Sequence, residues 1–102
     1  RVPTPNVSLV EFVFSSNKNL TVEEINNSFE KASKSELKNI LSTTKDLLVS
    51  SDFNHNPNSS IVDLSLTKVA DGKMAKVSAW YDNEWGFANR MCDLAVYIGN
   101  LK

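Results

Sequence analysis

The sequence contains few of the residue types that mark specialised classes of protein. Its 102 residues include one cysteine, Cys92, and only three glycines. A single cysteine excludes an internal disulfide and predicts a reducing compartment, for which we expect the cytoplasm. No apolar run approaches the roughly 20 residues that span a bilayer, so the sequence predicts no transmembrane helix.

An excess of charge of one sign is also missing. The chain carries 11 basic and 12 acidic residues, a formal net charge of −1. Proteins that bind nucleic acid or an anionic membrane usually present an excess of basic residues on one face. Residues 30–46 instead mix lysines with acidic residues, a pattern typical of a solvated helix surface. The sequence therefore predicts neither a nucleic-acid nor a membrane partner.

A complete set of catalytic groups is absent as well. There is no acidic pair, no metal-ligand cluster and no glycine-rich phosphate loop. Cys92 is predicted to lie within a helix beside Ala88 and Ala95, where a free cysteine packs as a small apolar residue. His55, the only histidine, lies in a polar loop rich in asparagine. We therefore predict no catalytic residue and no metal site within this chain.

Local sequence signals predict most of the secondary structure. Residues 7–14 are nearly all apolar and predict a central strand covered on both faces. Thr21 and Glu24 form a capping box, which predicts a helix beginning there. Ser35 is predicted to cap a second, shorter helix that runs through residue 41. Residues 47–49 are interpreted as a short extended piece.

The second half reads as a hairpin followed by a helix. Alternation over residues 62–67 predicts a strand, and Asp71-Gly72 predicts a tight turn into a return strand over residues 74–81. The last helix begins near Asp82 or Asn83, and its apolar stripe must pack on another layer. The order β-α-α-β-β-α predicts an α+β fold, a largely antiparallel sheet with helices packed on it.

Two polar residues are candidates for binding a ligand. Arg1 precedes a proline-stiffened segment, and its planar guanidinium suits a phosphate, although an exposed terminal arginine is the plainer interpretation. Asn83 can both donate and accept, which suits a carboxamide, with helix capping as its alternative. Residues 79–90 also concentrate two tryptophans, a tyrosine and a phenylalanine, which core packing would equally explain.

Three motifs give the chain a family resemblance. Residues 1–8 (RVPTPNVS), residues 48–53 (LVSSDF) with the serines at 59 and 60, and residues 80–86 (WYDNEWG) occur in this order. Together they resemble the carboxy-terminal part of the catalytic domain of the glyceraldehyde-3-phosphate dehydrogenase family, across residues 1–102. The start at Arg1, which has neither an initiator methionine nor a signal-peptide profile, favours a piece of a longer chain.

The resemblance implies an activity for a two-domain parent protein. Such enzymes oxidise glyceraldehyde 3-phosphate with NAD and inorganic phosphate to 1,3-bisphosphoglycerate in glycolysis, and form cytoplasmic homotetramers. The catalytic cysteine, its histidine and the Rossmann domain would all precede Arg1, so this chain alone is predicted to be inactive. The choice between NAD and NADP stays open.

The resemblance also implies residue roles. Arg1 corresponds to the arginine that binds the substrate phosphate, and Asn83 to the asparagine that binds the nicotinamide carboxamide. Phe87 corresponds to an aromatic group beside the nicotinamide, and Tyr81 to a residue near the catalytic cysteine.

Two alternatives to this interpretation stay open. Residues 86–91 (GFANRM) also resemble erythrose-4-phosphate dehydrogenase, whereas residues 80–82 fit the first enzyme better. A non-catalytic α+β interaction module is the alternative from a different class.

Overall fold

A computed structural model describes residues 1–101 and shows an α+β fold built on one mixed sheet. The elements, in chain order, are strand β1 (Ser8–Ser15), helix α1 (Val22–Lys34), strands β2 (Leu41–Thr44), β3 (Ser60–Asp63), β4 (Lys68–Ala70) and β5 (Met74–Tyr81), and helix α2 (Trp85–Gly99). Short 3-10 turns lie at Ser50–Phe53 and Leu64–Leu66. No helix within residues 1–101 has the length and apolar character needed to cross a membrane.

The sheet is largely antiparallel, as the sequence predicts. Its strands lie in the order β1-β5-β3-β2, and β4 also pairs with β5. Strand β5 runs antiparallel to β1, β3 and β4, and only β2 and β3 are parallel. The first pair of the β1–β5 ladder joins Ser8 to Tyr81, so the segments before Ser8 and after Tyr81 leave the sheet side by side.

Apolar residues pack on both faces of this sheet. Helix α1 covers one face, whose buried residues are Ile25, Leu41, Val62, Leu64, Ala75, Val77 and Ala79. Since successive side chains of a strand alternate, Trp80 belongs to the opposite face, where it packs with Val7, Phe53, Ile61 and Leu48. The candidate site described below lies beside this second, smaller cluster.

Two local predictions are confirmed by the structure. The Thr21 hydroxyl accepts from the Glu24 backbone N–H at 3.1 Å, and the Glu24 carboxylate accepts from the Thr21 N–H at 3.0 Å. Asp71 and Gly72 both have positive φ, 50° and 67°, as a primed hairpin turn requires. These signals act within a few residues, which is why sequence alone identifies them.

The second short helix was predicted wrongly. Ser35 caps the end of α1, since its N–H donates to the Ala32 carbonyl at 3.2 Å. Turns follow, and Asn39 takes the left-handed conformation at φ 66°, which interrupts a right-handed helix. Leu41 therefore opens strand β2, where it pairs with Ser60 of β3. Residues 47–49 form no strand.

Two strand predictions also need correction. Strand β1 lies at the edge of the sheet, and its Val10, Phe12 and Val13 are about half exposed within residues 1–101. The predicted strand over residues 62–67 ends at Asp63, because the Asp63 carboxylate accepts from the Ser65 N–H and starts a 3-10 turn.

The apolar face of α2 is not packed as predicted. The start of α2 contacts the loop of residues 55–59. Its later apolar side chains are exposed within the described chain: Met91, Leu94, Val96, Tyr97 and Ile98. Cys92 is likewise exposed rather than packed. Periodicity revealed the stripe, but it could not reveal whether the partner layer lies in this chain.

Candidate functional site

An open groove of about 1200 Å³ lies at the end of the sheet where β1 begins and β5 ends. Its lining comes from residues 1–9 except Pro3, from Leu48, Val49 and Ser50, and from residues 80–84 except Asp82. The pairing of Ser8 with Tyr81 explains this assembly, since it brings two segments far apart in sequence to one place.

Residues 1–7 form an arm along one side of the groove. Pro3 and Pro5 restrict its backbone, and the Thr4 N–H donates to the Val2 carbonyl at 2.8 Å. Arg1, the first residue of the arm, is exposed and makes no side-chain hydrogen bond or ion pair with any residue up to 101. Its guanidinium therefore keeps its donors available for an anion.

The aromatic wall of the groove is rigid. Trp80 stacks on buried Phe53 with ring centroids 5.2 Å apart and an interplanar angle of 14°. The Trp80 indole N–H also donates to the buried Asp63 carboxylate at 3.3 Å. Two separate contacts thus fix this ring, so we assign it to packing of the groove wall.

Tyr81 and Asn83 belong to the second segment that lines the groove, at the end of β5 and in the connection to α2. Tyr81 ends strand β5 and is partly buried, whereas Asn83 is exposed in the connection to α2. Within residues 1–101 the Asn83 side chain has no hydrogen-bond partner, so it does not cap α2. Its carboxamide is available to a ligand.

Asp82, between these two residues, closes the turn that leads into α2 and also joins other segments. Its Oδ1 accepts from the Glu84 and Trp85 backbone N–H groups at 3.1 and 3.0 Å. Its Oδ2 accepts from the Asn6 side-chain amide at 2.9 Å and from the His55 backbone N–H at 3.0 Å. The residue is 2% exposed, so it forms a buried junction of three chain segments.

These contacts set the ionisation of the junction. Burial raises the pKa of the Asp82 carboxyl, but the N–H groups of Trp85, His55 and Glu84 and the Asn6 amide together lower that pKa below its ordinary value. The carboxylate is therefore the form that the fold holds, and protonating it removes acceptors from several buried donors.

Acid should weaken this junction. A folded-state pKa below the unfolded value gives stability that is present above about pH 4 and lost as pH falls through the folded pKa. In the complete polypeptide that contains this chain, Asp82→Asn should lower the free energy of unfolding by about 2 kcal/mol at neutral pH. The difference from wild type should shrink on acidification, measured by denaturant titration from neutral pH downward.

Asp46→Asn is the matched control, because Asp46 is exposed in a turn. It should change stability by less than about 0.5 kcal/mol at any pH. A constant gap between wild type and Asp82→Asn at every pH would contradict the assigned role of the carboxylate.

The start of α2 is attached to the asparagine-rich loop. Gly86 lies so close to this loop that an added Cβ would sit 2.9 Å from the Asn58 carbonyl oxygen. Arg90 donates to the Pro57 carbonyl at 3.3 Å, and the His55 ring lies 4.5 Å from the Trp85 ring. The turn that carries Asn83 is thus held from both ends.

The structure brings together three of the four predicted site residues. Arg1, Tyr81 and Asn83 line one groove, whereas Phe87 lies outside it, 67% exposed on α2. The roles assigned to these four residues stay predictions. Within residues 1–101 no three His, Cys, Asp or Glu side chains are grouped to hold a metal ion.

Sequence reasoning missed the junction around Asp82. Asp82 was a candidate helix cap only, and Asn6 and Asn54 received no role. The one available signal was the preference for aspartate at a helix start. Its bonds to Asn6 and His55 span 76 and 27 residues, and no local pattern reports them.

Comparisons with known proteins identify the family to which the chain belongs. A family model described as "Glyceraldehyde 3-phosphate dehydrogenase, C-terminal domain" matches residues 1–83. The glyceraldehyde-3-phosphate dehydrogenase of Cereibacter sphaeroides is 52% identical over 101 residues, 99% of this chain and 30% of the relative. The chromosomal protein of the same name from Cupriavidus necator is 55% identical over 102 residues, 100% of this chain and 30% of the relative. Glyceraldehyde-3-phosphate dehydrogenase 1 of Bacillus subtilis is 51% identical over 98 residues, which is 96% of this chain and 29% of the relative.

By its fold, the chain is an α+β domain with a groove at one end of a mixed sheet. It belongs to the glyceraldehyde-3-phosphate dehydrogenase family and corresponds to the carboxy-terminal part of these proteins. The chain spans about 30% of the length of the curated relatives that it matches.

Proposed function

We propose that this chain supplies one side of the active site of a phosphorylating glyceraldehyde-3-phosphate dehydrogenase. The proposed parent is a two-domain, cytoplasmic homotetramer in which residues 1–102 form the carboxy-terminal portion of the catalytic domain. It oxidises glyceraldehyde 3-phosphate in the presence of inorganic phosphate to 1,3-bisphosphoglycerate. The observation that carries the proposal is the groove that Arg1 and Asn83 both line, each without a side-chain hydrogen bond to residues 1–101.

The chemistry of the groove supports this assignment. The guanidinium of Arg1 offers paired N–H donors that fit a phosphate monoester, and the proline-stiffened arm limits where it can move. Asn83 offers one donor and one acceptor, which complement the carboxamide of a nicotinamide ring. NAD or NADP, when bound, supplies the hydride acceptor.

Within the proposed site, these residues orient their ligands and move no proton. Arg1 would hold the charged end of the aldehyde, and Asn83 would fix which face of the nicotinamide ring meets it. Tyr81, at the end of β5, would lie near the nucleophilic cysteine, and Phe87 beside the nicotinamide. The nucleophile and its histidine base belong to the preceding part of the parent, so this chain by itself should have no turnover.

Assay of the complete polypeptide tests the proposal. We expect reduction of NAD only when both glyceraldehyde 3-phosphate and inorganic phosphate are present, followed by the absorbance of the reduced dinucleotide. Parallel assays with NADP identify the preferred cofactor. Absence of dinucleotide reduction with either cofactor would refute the proposed function.

Erythrose 4-phosphate is the competing substrate, because residues 86–91 resemble the corresponding stretch of that dehydrogenase. The same assay with both aldehydes separates the two candidates through their kcat/KM ratio. We expect the three-carbon substrate to be preferred, and a clear preference for the four-carbon aldehyde would reverse the assignment.

A non-catalytic interaction module is distinguished most cheaply by the gene. Our proposal requires an open reading frame upstream of Arg1 that encodes a Gly-x-Gly-x-x-Gly turn and a catalytic cysteine with a histidine after it. A start codon a few residues before Arg1 would favour the module.

A further inference from the structure

The arm that carries Arg1 is joined to the rest of the described chain by the side chain of Asn6. Within the part of the chain that the structure describes, its side-chain hydrogen bonds to the rest of the fold all come from Asn6. The Asn6 amide donates to the Asn54 side-chain oxygen at 2.7 Å and to Asp82 Oδ2 at 2.9 Å. Asn6 therefore attaches the arm to the rest of the described chain, and this contact bears on where residues 1–5, and so the guanidinium, lie.

Two residues at the same place have a positive φ. Val7, directly after Asn6, has φ 71°, a conformation that a β-branched residue rarely adopts. His55, whose N–H donates to Asp82, has φ 60°. Such conformations persist only where the surroundings fix them, and they gather at functional sites. Burial of Val7 against Phe53 and Ile61 fixes its side chain, and Asn6 fixes the chain on its other side.

The same carboxylate also fixes the other half of the groove. Asp82 Oδ1 accepts from the N–H groups of Glu84 and Trp85, which closes the turn that contains Asn83. One oxygen therefore holds the arm, and the other holds the turn. Asp82 does not line the groove itself, so it acts through its neighbours.

We propose that Asp82 is a positioning residue, whose carboxylate holds the Asn6 junction and thereby sets the distance and direction of Arg1 relative to Asn83. The inference rests on the proposed function, because it assigns a substrate-orienting role to the arm. It predicts that loosening the junction impairs use of a phosphorylated aldehyde more than use of its unphosphorylated analogue.

Asp82→Asn breaks one half of the junction selectively. The amide oxygen can still accept from Glu84 and Trp85, whereas the amide N–H2 then faces the donors of Asn6 and His55. In the complete polypeptide we expect KM for glyceraldehyde 3-phosphate to rise about tenfold, with kcat changed less. The ratio of kcat/KM for glyceraldehyde 3-phosphate to that for glyceraldehyde should fall by about the same factor, because only the phosphate meets Arg1.

Two further variants distinguish a positioning effect from misfolding of the protein. Asn6→Ala removes the arm's attachment without touching the helix cap and should lower the same ratio. The double variant Asn6→Asp with Asp82→Asn reverses donor and acceptor between these two side chains, and the Asn54 amide can turn to donate to the new carboxylate. The His55 N–H still lacks its acceptor, so only part of the ratio should return. Failure of the double variant to recover any selectivity would contradict the pairing.

Asn26→Asp is the matched control. Asn26 lies on α1, on the other face of the sheet, where its amide donates to the Leu64 carbonyl at 3.1 Å. This exchange should lower stability without changing the selectivity ratio. If Asp82→Asn behaves like Asn26→Asp, with lower stability and an unchanged ratio, the inference is overturned.

The outcome also separates this inference from the proposed function. If Arg1→Ala leaves the ratio unchanged, the phosphate role itself fails. If Arg1→Ala lowers the ratio and Asp82→Asn does not, only the positioning role of Asp82 fails.

Discussion

Replacing Arg1 by alanine should lower kcat/KM for glyceraldehyde 3-phosphate about 100-fold in the complete polypeptide. A bidentate, charge-assisted pair with a phosphate is among the stronger polar interactions in proteins, and loss of a partner in such a pair costs about 1.5–3 kcal/mol. Arg1 makes no hydrogen bond or ion pair with residues up to 101, so the loss should appear in substrate use and not in folding.

Arg1→Lys separates charge from geometry. Lysine keeps the positive charge but lacks the planar fork, so we expect a loss of about tenfold, between wild type and Arg1→Ala. Activity on unphosphorylated glyceraldehyde should be nearly the same in all three proteins. Equal loss with both aldehydes would show that Arg1 supports the fold or the chemistry generally and does not bind the phosphate.

Replacing Asn83 by alanine should reduce kcat by about 100-fold with little effect on stability. Misplacing a reacting group by about 1 Å is enough for a rate loss of this size. The Asn83 side chain does not bond the start of α2, where Asp82 accepts from the Glu84 and Trp85 N–H groups, so the free energy of unfolding should change by less than about 0.5 kcal/mol. Hydride transfer from an aldehyde deuterated at the reacting carbon should also lose strict selectivity for one face of the nicotinamide.

Asn83→Asp tests the need for a donor. It keeps the size and one acceptor but loses the N–H2 group, so it should be nearly as impaired as the alanine variant. Asn17→Ala, in an exposed loop, serves as the neutral control. Normal turnover of Asn83→Ala with a lowered melting temperature would reduce Asn83 to a structural residue.

The two variants together test whether the groove works as one site. Arg1 and Asn83 are 82 positions apart in sequence, yet the pairing of Ser8 with Tyr81 brings their segments together. If Arg1 and Asn83 contact separate ligands, the free-energy effects of the two substitutions on kcat/KM should add in the double variant. A smaller combined effect is expected only if a substitution also perturbs the Asp82 junction.

The sequence by itself determined the features that depend on neighbouring residues. The capping box of Thr21 and Glu24 fixes the start of α1, and the turn at Asp71-Gly72 fixes the β4–β5 hairpin, because both arise from interactions within four residues. The family motifs also place Arg1, Tyr81 and Asn83 as candidates, since residue type and order can be read directly.

Tertiary structure alone decided where the chain segments meet. Leu41 and its neighbours have apolar spacing compatible with a helix, but pairing with β3 makes them a strand. Burial also could not be read from pattern, since apolar runs in β1 and α2 are exposed within residues 1–101. The Asp82 junction depends on hydrogen bonds across 76 and 27 residues, and such bonds exist only once the sheet has set the positions of their partners.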